Sequence, residues 1–371
     1  MFDETTHETL TTPPRPTTTT AVNDSADAYR AILQRRIDDG ARRAAEVIAI
    51  IQQDPPRDQI LRVRAAAFEV APTGGIRVRV GADWYHSTDF ALGQVAARAG
   101  IPAAYLRELA APKAAPWQHD LAADILGRHH GNAGDARILA RSVNGQLRGW
   151  LSDRYRRLDS RPLVDALANE ALKAGAVPID GVATETRVAI KVILPQILEP
   201  LPGEFVVAGA EWSNSDYGNG VHSFRTYLLR VQCLNGATTE NLLKQVHLGG
   251  RLSDTIEYSD RTHRLDTAAS VSALRDVVRS AFSPTSRDRL MDTIRASHER
   301  SMSPKQLAGA TKTFPKHVQK SVVDAFDSAD VINLPEGQTA WRASNAISWI
   351  ARHTEDAEMR LELERAAGAL V

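Results

Sequence analysis

The chain has 371 residues, 43% of them apolar and 6% aromatic, with 45 Lys+Arg balanced by 45 Asp+Glu and a single cysteine. That length leaves room for two or three domains with a sizeable core. Balanced charge argues neither for nor against a nucleic-acid or membrane partner, so only local clustering is informative, and one cysteine excludes an intramolecular disulfide. No apolar run approaches the ~20 residues that cross a bilayer and no signal-peptide pattern opens the chain, so the expected location is a reducing cytoplasm, with no membrane partner.

Residues 1–22 are dominated by Thr and Pro and hold too little apolar surface to offset the entropy of ordering, which predicts a disordered tail. From Asn23-Asp24-Ser25, a ready N-cap, the apolar positions Tyr29, Ile32, Leu33, Ile37, Ala44, Val47, Ile48 and Ile51 recur at helical spacing until Asp54-Pro55-Pro56. This predicts a long amphipathic helix. Next, "ILRVRAAAFEV" and "IRVRVGADWYH" flank Pro72-Thr73-Gly74-Gly75, a hairpin signal. Ser87-Thr88-Asp89 then caps a helix that Gly100 ends, and Pro102 starts another. The pair has helix-turn-helix spacing, although ordinary packing in a mixed domain is the favoured use. Residues 23–130 form this N-terminal helical and small α/β region.

The segment "ARILARSVNGQLRGWLSDRYRRLDSR", residues 136–161, crowds seven arginines against Asp153 and Asp159. Its Asn144-Gly145 pair between two strand-like runs is the strongest short signal for a two-residue hairpin. Pairing Val143 with Gln146 places Arg141 opposite Arg148 and Leu139 opposite Trp150. Arg137, Arg141, Arg148, Trp150 and Arg154 then share one face above an underside of Ile138, Ala140, Ser142, Leu147, Gly149 and Leu151. A helix capped at Asp159 or Ser160, with Pro162 in its first turn, follows and runs to Gly175. Three strand candidates come next, "TRVAIKVIL", "EFVVAGAEW" and "SFRTYLLRVQC", with the polar, Gly-rich "SNSDYGNG" between the last two. Residues 131–262 are therefore the β-rich core. Residues 263–371 read as helical, with a final helix from about Gln338 to the end. The order implies an α+β fold: an antiparallel hairpin and sheet core packed on a helix, an N-terminal helical/β region and a C-terminal helical region.

Enzyme motifs fail: the chain lacks GxxxxGK[ST], GxGxxG after a strand, HExxH, CxxC and GxSxG. No cofactor or metal is expected. Asp180, Glu185 and Lys191 have the composition of a metal-dependent nuclease site, but the spacing of Glu185 and Lys191 puts them on opposite faces of an extended strand. His129-His130, His222, Cys233 and His247 are metal ligands in principle and read better as surface histidines and a structural thiol. Trp341, Asn345, Trp349 and His353 share one face of the last helix, as a partner surface or as core.

The arginine face carries the chemistry. Like charges directly opposite on a strand pair destabilise it by tenths of a kcal/mol, and a polyanion relieves that repulsion. Basic side chains interleaved with an aromatic are what sequence-tolerant single-strand binding requires.

"RGWLSDRYRRLDSRPLVDAL", the strand block with "NSDYGNG" followed by "RVQCLNGAT", and "TAWRASNAISWIARH" resemble, in that order, the phage- and plasmid-borne family catalogued as domain of unknown function 932. The resemblance covers roughly residues 50–371. More distantly it is similar to the single-strand annealing recombination proteins of phages and eukaryotes. It implies a hairpin and sheet packed on a helix, ring-forming subunits, and DNA in a groove lined by basic residues of the sheet.

The resulting expectation is a single-stranded DNA-binding protein of a phage, prophage or plasmid that anneals or protects strands without hydrolysing nucleotides. Arg137, Arg141, Arg148, Arg154, Arg156 and Arg157 contact phosphates and Trp150 stacks on a base, with Arg187, Lys191 and Arg230 as secondary contacts. Expected partners are single-stranded DNA, further copies in a homo-oligomeric ring, and host or phage recombination proteins. The alternatives are a metal-dependent nuclease using Asp180 and Glu185, and a protein-binding module that acts on a host factor through the C-terminal helices.

Overall fold

The computed structural model describes residues 19–53, 55–245, 259–328 and 334–371. It opens with α1 (Thr19–Gln53), then β1 (Arg57–Arg62), β2 (Ala67–Val70), β3 (Ile76–Val80), β4 (Asp83–Ser87), α2 (Asp89–Ala99), α3 (Ala103–Leu109) and α4 (Pro116–Gly131). The arginine-rich segment supplies β5 (Arg137–Val143), β6 (Gln146–Ser152) and the start of α5 (Ser160–Lys173). A meander follows: β7 (Val177–Ala183), β8 (Val188–Leu201), β9 (Glu204–Asn214), β10 (His222–Arg230) and β11 (Asn235–Gln245). The chain ends in α6 (Asp260–Ala281), α7 (Pro284–Glu299), α8 (Pro304–Ala310), α9 (Lys316–Asp327), α10 (Ala340–Arg352) and α11 (Ala357–Gly368).

The expected α+β class holds, built on two sheets. The six-stranded sheet has the order β1-β5-β6-β4-β3-β2 and is antiparallel except where β4 runs parallel to β6. Helices α2, α3 and α4 cover one of its faces, burying Val78, Val80, Leu92, Val95, Leu126 and Ile138. Local chemistry sets the first of these helices, since Thr88 accepts from the Ala91 amide and Gly100 ends the helix at φ 68°.

The five-stranded sheet is a fully antiparallel meander, β11-β10-β9-β8-β7. On one face Ile190, Val192, Ala210, Trp212 and Phe224 meet Leu163, Leu167, Leu274 and Val278 of α5 and α6. Each fully buried aliphatic side chain there contributes about 1.5–3 kcal/mol of transfer free energy. Farther along, Val206, Leu228 and Ala237 pack under the C-terminal helices, with Val322, Trp341 and Ile347. The opposite face carries Ile193, Val207 and Leu229 beneath Tyr29 and Leu33 of α1.

Both edges of the five-stranded sheet are covered by helices at glycine contacts, which shields the edge backbone from edge-to-edge association. Helix α1 crosses edge strand β7 so closely that a Cβ on Gly40 would lie 1.8 Å from the Ile179 carbonyl oxygen, and one on Gly181 would lie 2.6 Å from the Ala44 Cα. At the other edge a Cβ on Gly368 would lie 1.9 Å from the Thr238 carbonyl oxygen of β11. Because α1 passes over the edge, Tyr29 and Leu33 pack on one face of the sheet while Ala44, Val47 and Ile51 pack with α5 on the other.

Several boundaries differ from the sequence reading. Helix α1 begins at Thr19, inside the segment assigned to the tail, whose residues 1–18 lie outside the described ones. The run "ILRVRAAAFEV" is two strands separated by a 3-10 turn at Val63–Ala65, and the first of them pairs with β5. Strands β7 and β11 and helices α4 and α8 have no counterpart in the sequence reading. The last helix is two: α10 stops at Arg352, and Asp356 caps α11 by accepting from the Met359 amide at 2.9 Å.

Candidate nucleic-acid interface

The turn of the arginine hairpin is as expected: Asn144 and Gly145 adopt φ 49° and 75°, and Val143 pairs with Gln146. Beyond it the pairing departs from the expectation. Ser142 faces Leu147, but Arg141 faces Gly149, Ala140 faces Trp150 and Leu139 faces Leu151, with the register shifting between Arg141 and Ser142. Arg148 is thus the extra residue of a β-bulge, and one inserted residue transfers every later side chain to the other face. Trp150 turns into the core, 3% exposed, with its ring 6.0 Å from His130 and 6.5 Å from Phe68. Arg141 points the opposite way and is fully buried. The expected open face, with Arg141 opposite Arg148 beside Trp150, does not form.

Most of the other candidate cations are committed to carboxylates or carbonyls. Arg141 donates from Nε to Asp58 at 2.7 Å, from Nη2 to Asp159 at 2.6 Å, and from Nη1 to the Asp216 carbonyl at 2.7 Å. Arg156 holds both oxygens of Asp266 at 2.6 Å, and Arg157 lies 3.3 Å from Asp58. Arg148 donates to the Glu185 carbonyl at 2.6 Å with its guanidinium over the Tyr217 ring. Arg187 pairs with Glu358 and Glu362 of α11, Lys191 with Glu364, and Arg230 with both oxygens of Glu204. Arg137 is half-buried beside Arg62 across the β1–β5 pair, and Arg154 is exposed at the end of β6.

These ion pairs explain what "SNSDYGNG" does. The loop after β9 docks on the six-stranded sheet: Asp216 accepts from the amide and hydroxyl of Ser160 and from Asn214, Gln94 donates to the Tyr217 carbonyl, and Tyr155 donates to that of Ser215. Burial pushes the Asp216 carboxyl up to about 6; Arg141 opposes the shift, and the Asp159 carboxylate adds to it. The arginine hairpin is a structural joint between the two sheets.

The residues of the nuclease alternative separate. Asp180 and Lys191 face each other across β7 and β8, whereas Glu185 lies on the connecting turn and accepts from the Phe90 amide of α2 at 2.7 Å. Four cations ring Asp180: Arg43 at 2.9 Å, Arg36 at 3.5 Å, Lys191 at 3.9 Å and Arg360 at 4.0 Å. Among the described residues no group of three or more His, Cys, Asp or Glu is placed to hold a metal ion. His130 is buried with its Nδ1 at the Leu126 carbonyl, His222 packs on Trp212, and His247 lies outside the described residues. Trp341 is core, and Asn345 donates to its carbonyl at 2.9 Å.

The combination sought on β5 and β6 occurs two strands away in the same sheet. Ile76, Val78 and Val80 enter the core, so Arg77 and Arg79 of β3 project from the side opposite the helices. On β4, Tyr85 packs toward the core and Trp84 and His86 project with the arginines. Arg79 pairs with Trp84 and Arg77 with His86 across the strands. The Arg77 and Arg79 guanidinium carbons lie 5.7 and 5.9 Å from the Trp84 ring centroid. Glu69 of β2 takes one amino group of Arg77 at 2.7 Å, while Arg79 is exposed. The alternation in "IRVRVGADWYH" is visible in the sequence, but only the strand pairing sets its arginines beside Trp84.

A scan against protein-family models finds no match for this chain, and searches of curated proteins and of solved structures find none either.

Proposed function

We propose that this chain binds single-stranded DNA on the open face of β3 and β4, holding the strand extended for annealing or protection without nucleotide hydrolysis. The observation that carries this reading is Trp84 within cation–π reach of Arg77 and Arg79 on the side of the sheet opposite its helices. An indole at this position stacks a base of any sequence, for about 1–3 kcal/mol, and the arginines alongside neutralise the flanking phosphates. The family resemblance supports the same role and adds a homo-oligomeric ring and recombination partners to the proposal. The face differs from the one expected at Arg141 and Trp150, which the fold uses internally.

Binding of a dT oligonucleotide followed by fluorescence anisotropy across a salt series tests this. Affinity should fall with salt and should weaken in Trp84→Ala. A flat line of log affinity against log salt, or an unchanged affinity in that variant, overturns the proposal.

A further inference from the structure

The face of the five-stranded sheet beneath α1 is not fully covered. Between the middle of α1 on one side and α10 and α11 on the other lies a cavity of about 490 Å³, a size typical of small-molecule sites. Its wall from α1 presents Arg35, Arg36 and Arg43, and the facing wall presents Arg352 and Arg360. Five arginines stand against three lining carboxylates, Asp39, Asp180 and Glu364, an excess of two positive charges.

The carboxylates are already engaged. Asp180 is shared by Arg36, Arg43 and Arg360, Glu364 holds Lys191 beneath the floor, and Asp39 lies 3.7 Å from Arg42 on its own helix. The guanidiniums retain unused donors. Nη2 of Arg43 and Nε of Arg360 are buried without an acceptor, and Arg35 has no carboxylate partner among the described residues. Arg352 gives one amino group to the Cys233 carbonyl.

The remaining lining suits an organic body. Ile32 and Leu234 are apolar, and Tyr227 forms part of the floor. Gly236 permits this, since a Cβ there would lie 2.0 Å from the Tyr227 hydroxyl oxygen. Burial holds that hydroxyl in its protonated, donating form. Guanidinium forks arriving from several helices match the several acceptor oxygens of a tetrahedral phosphate better than the two of a planar carboxylate.

We infer that this cavity binds a phosphate monoester of nucleotide size, with Arg35, Arg36 and Arg352 on the phosphate and Tyr227 as a further donor. The site is separate from the β3–β4 face and stands whether or not that face binds DNA. The phosphate belongs either to a free nucleotide or to the end of a strand.

Calorimetry and thermal shift on the full chain test it with thymidine 5′-monophosphate, a 5′-phosphorylated dT tetramer, and thymidine as the probe lacking phosphate. At least one phosphate probe should bind with 1:1 stoichiometry and raise Tm, while thymidine should not; the tighter of the two phosphate probes identifies the source. The Arg35→Met/Arg352→Met double variant, which breaks no ion pair described here, should weaken that binding about tenfold or more. Arg35→Lys/Arg352→Lys should recover part of it, and Trp84→Ala should leave it intact. Failure of both phosphate probes, equal binding of thymidine, or unchanged affinity in the Met variant overturns the inference.

Discussion

Asp58 of β1 and Arg141 of β5 are directly paired across antiparallel strands, and the Arg141 guanidinium, with none of its side chain exposed, donates to the Asp58 carboxylate at 2.7 Å. Asp159 and the Asp216 carbonyl complete its coordination. Removing one member of a fully buried ion pair costs about 3–5 kcal/mol, but Asp58 keeps Arg157 and the Asp159 side chain is 42% exposed, so less of that penalty applies. Arg141→Leu is therefore expected to lower stability by about 1–3 kcal/mol, with the dT affinity of the folded fraction unchanged. Urea denaturation and anisotropy separate the two effects; a loss of affinity without a loss of stability would return Arg141 to the DNA-contact role.

Asp216 sets a pH dependence of unusual sign. Its folded-state pKa of about 6 lies above the ordinary carboxylate value, so the folded protein binds this proton more tightly than the unfolded chain does. This contribution to stability is complete at low pH and declines as pH rises through the window from about 4 to 6. Glu170 acts in the opposite sense: Arg279 and Lys173 hold it at about 2, so its contribution is present above the ordinary carboxylate value and is lost as pH falls toward 2. Denaturation midpoints between pH 4 and 7 should fall less steeply in Asp216→Asn than in the natural chain. Equal slopes would show that another group controls this window.

Two tryptophans of the same sheet should give contrasting phenotypes. Trp150 is core, so Trp150→Ala should cost about 3–5 kcal/mol of stability through its cavity. Trp84 lies on the side opposite the helices, and Trp84→Ala should cost only about 1–2 kcal/mol of stability, from its contacts with Arg77 and Arg79, while weakening dT binding by about 1–3 kcal/mol. Arg79→Ala should also reduce the salt slope by about one. A strand-binding defect in Trp150→Ala protein shown to be folded would contradict this division.

Gly40→Ala tests how the sheet edge is closed. Alanine is the better helix former by about 1 kcal/mol, but its Cβ would lie 1.8 Å from the Ile179 carbonyl oxygen. Overpacking of this kind costs about 1–3 kcal/mol, so the variant should unfold at lower urea concentration. A gain in stability would mean that α1 stands farther from β7.

Much of this fold could be read from short segments, because their signals act within a few residues. Thr88 and Gly100 bound α2, Pro162 lies in the first turn of α5, and Asn144-Gly145 specifies its turn, each through its own backbone and capping chemistry. The arginine face expected on β5 and β6 fails because their pairing shifts by one residue. The bulge at Arg148 has no signature in the hairpin itself; it accompanies the burial of Trp150 against Phe68 and His130 from other parts of the chain.

By itself the sequence determined that the segment after Asp135 is an arginine-rich hairpin, that basic residues alternate on β3, and that antiparallel strands and helices fill the rest. Only the tertiary structure decided which cations are available to a ligand. Asp58, Asp266 and Glu204 reach the hairpin arginines and Arg230 from elsewhere in the chain, while Arg79 is left open and α1, α10 and α11 bring five arginines to one cavity. The reason is physical: turns and caps are satisfied by neighbours in sequence, whereas a charge that enters the interior must be neutralised by whichever carboxylate the fold places beside it.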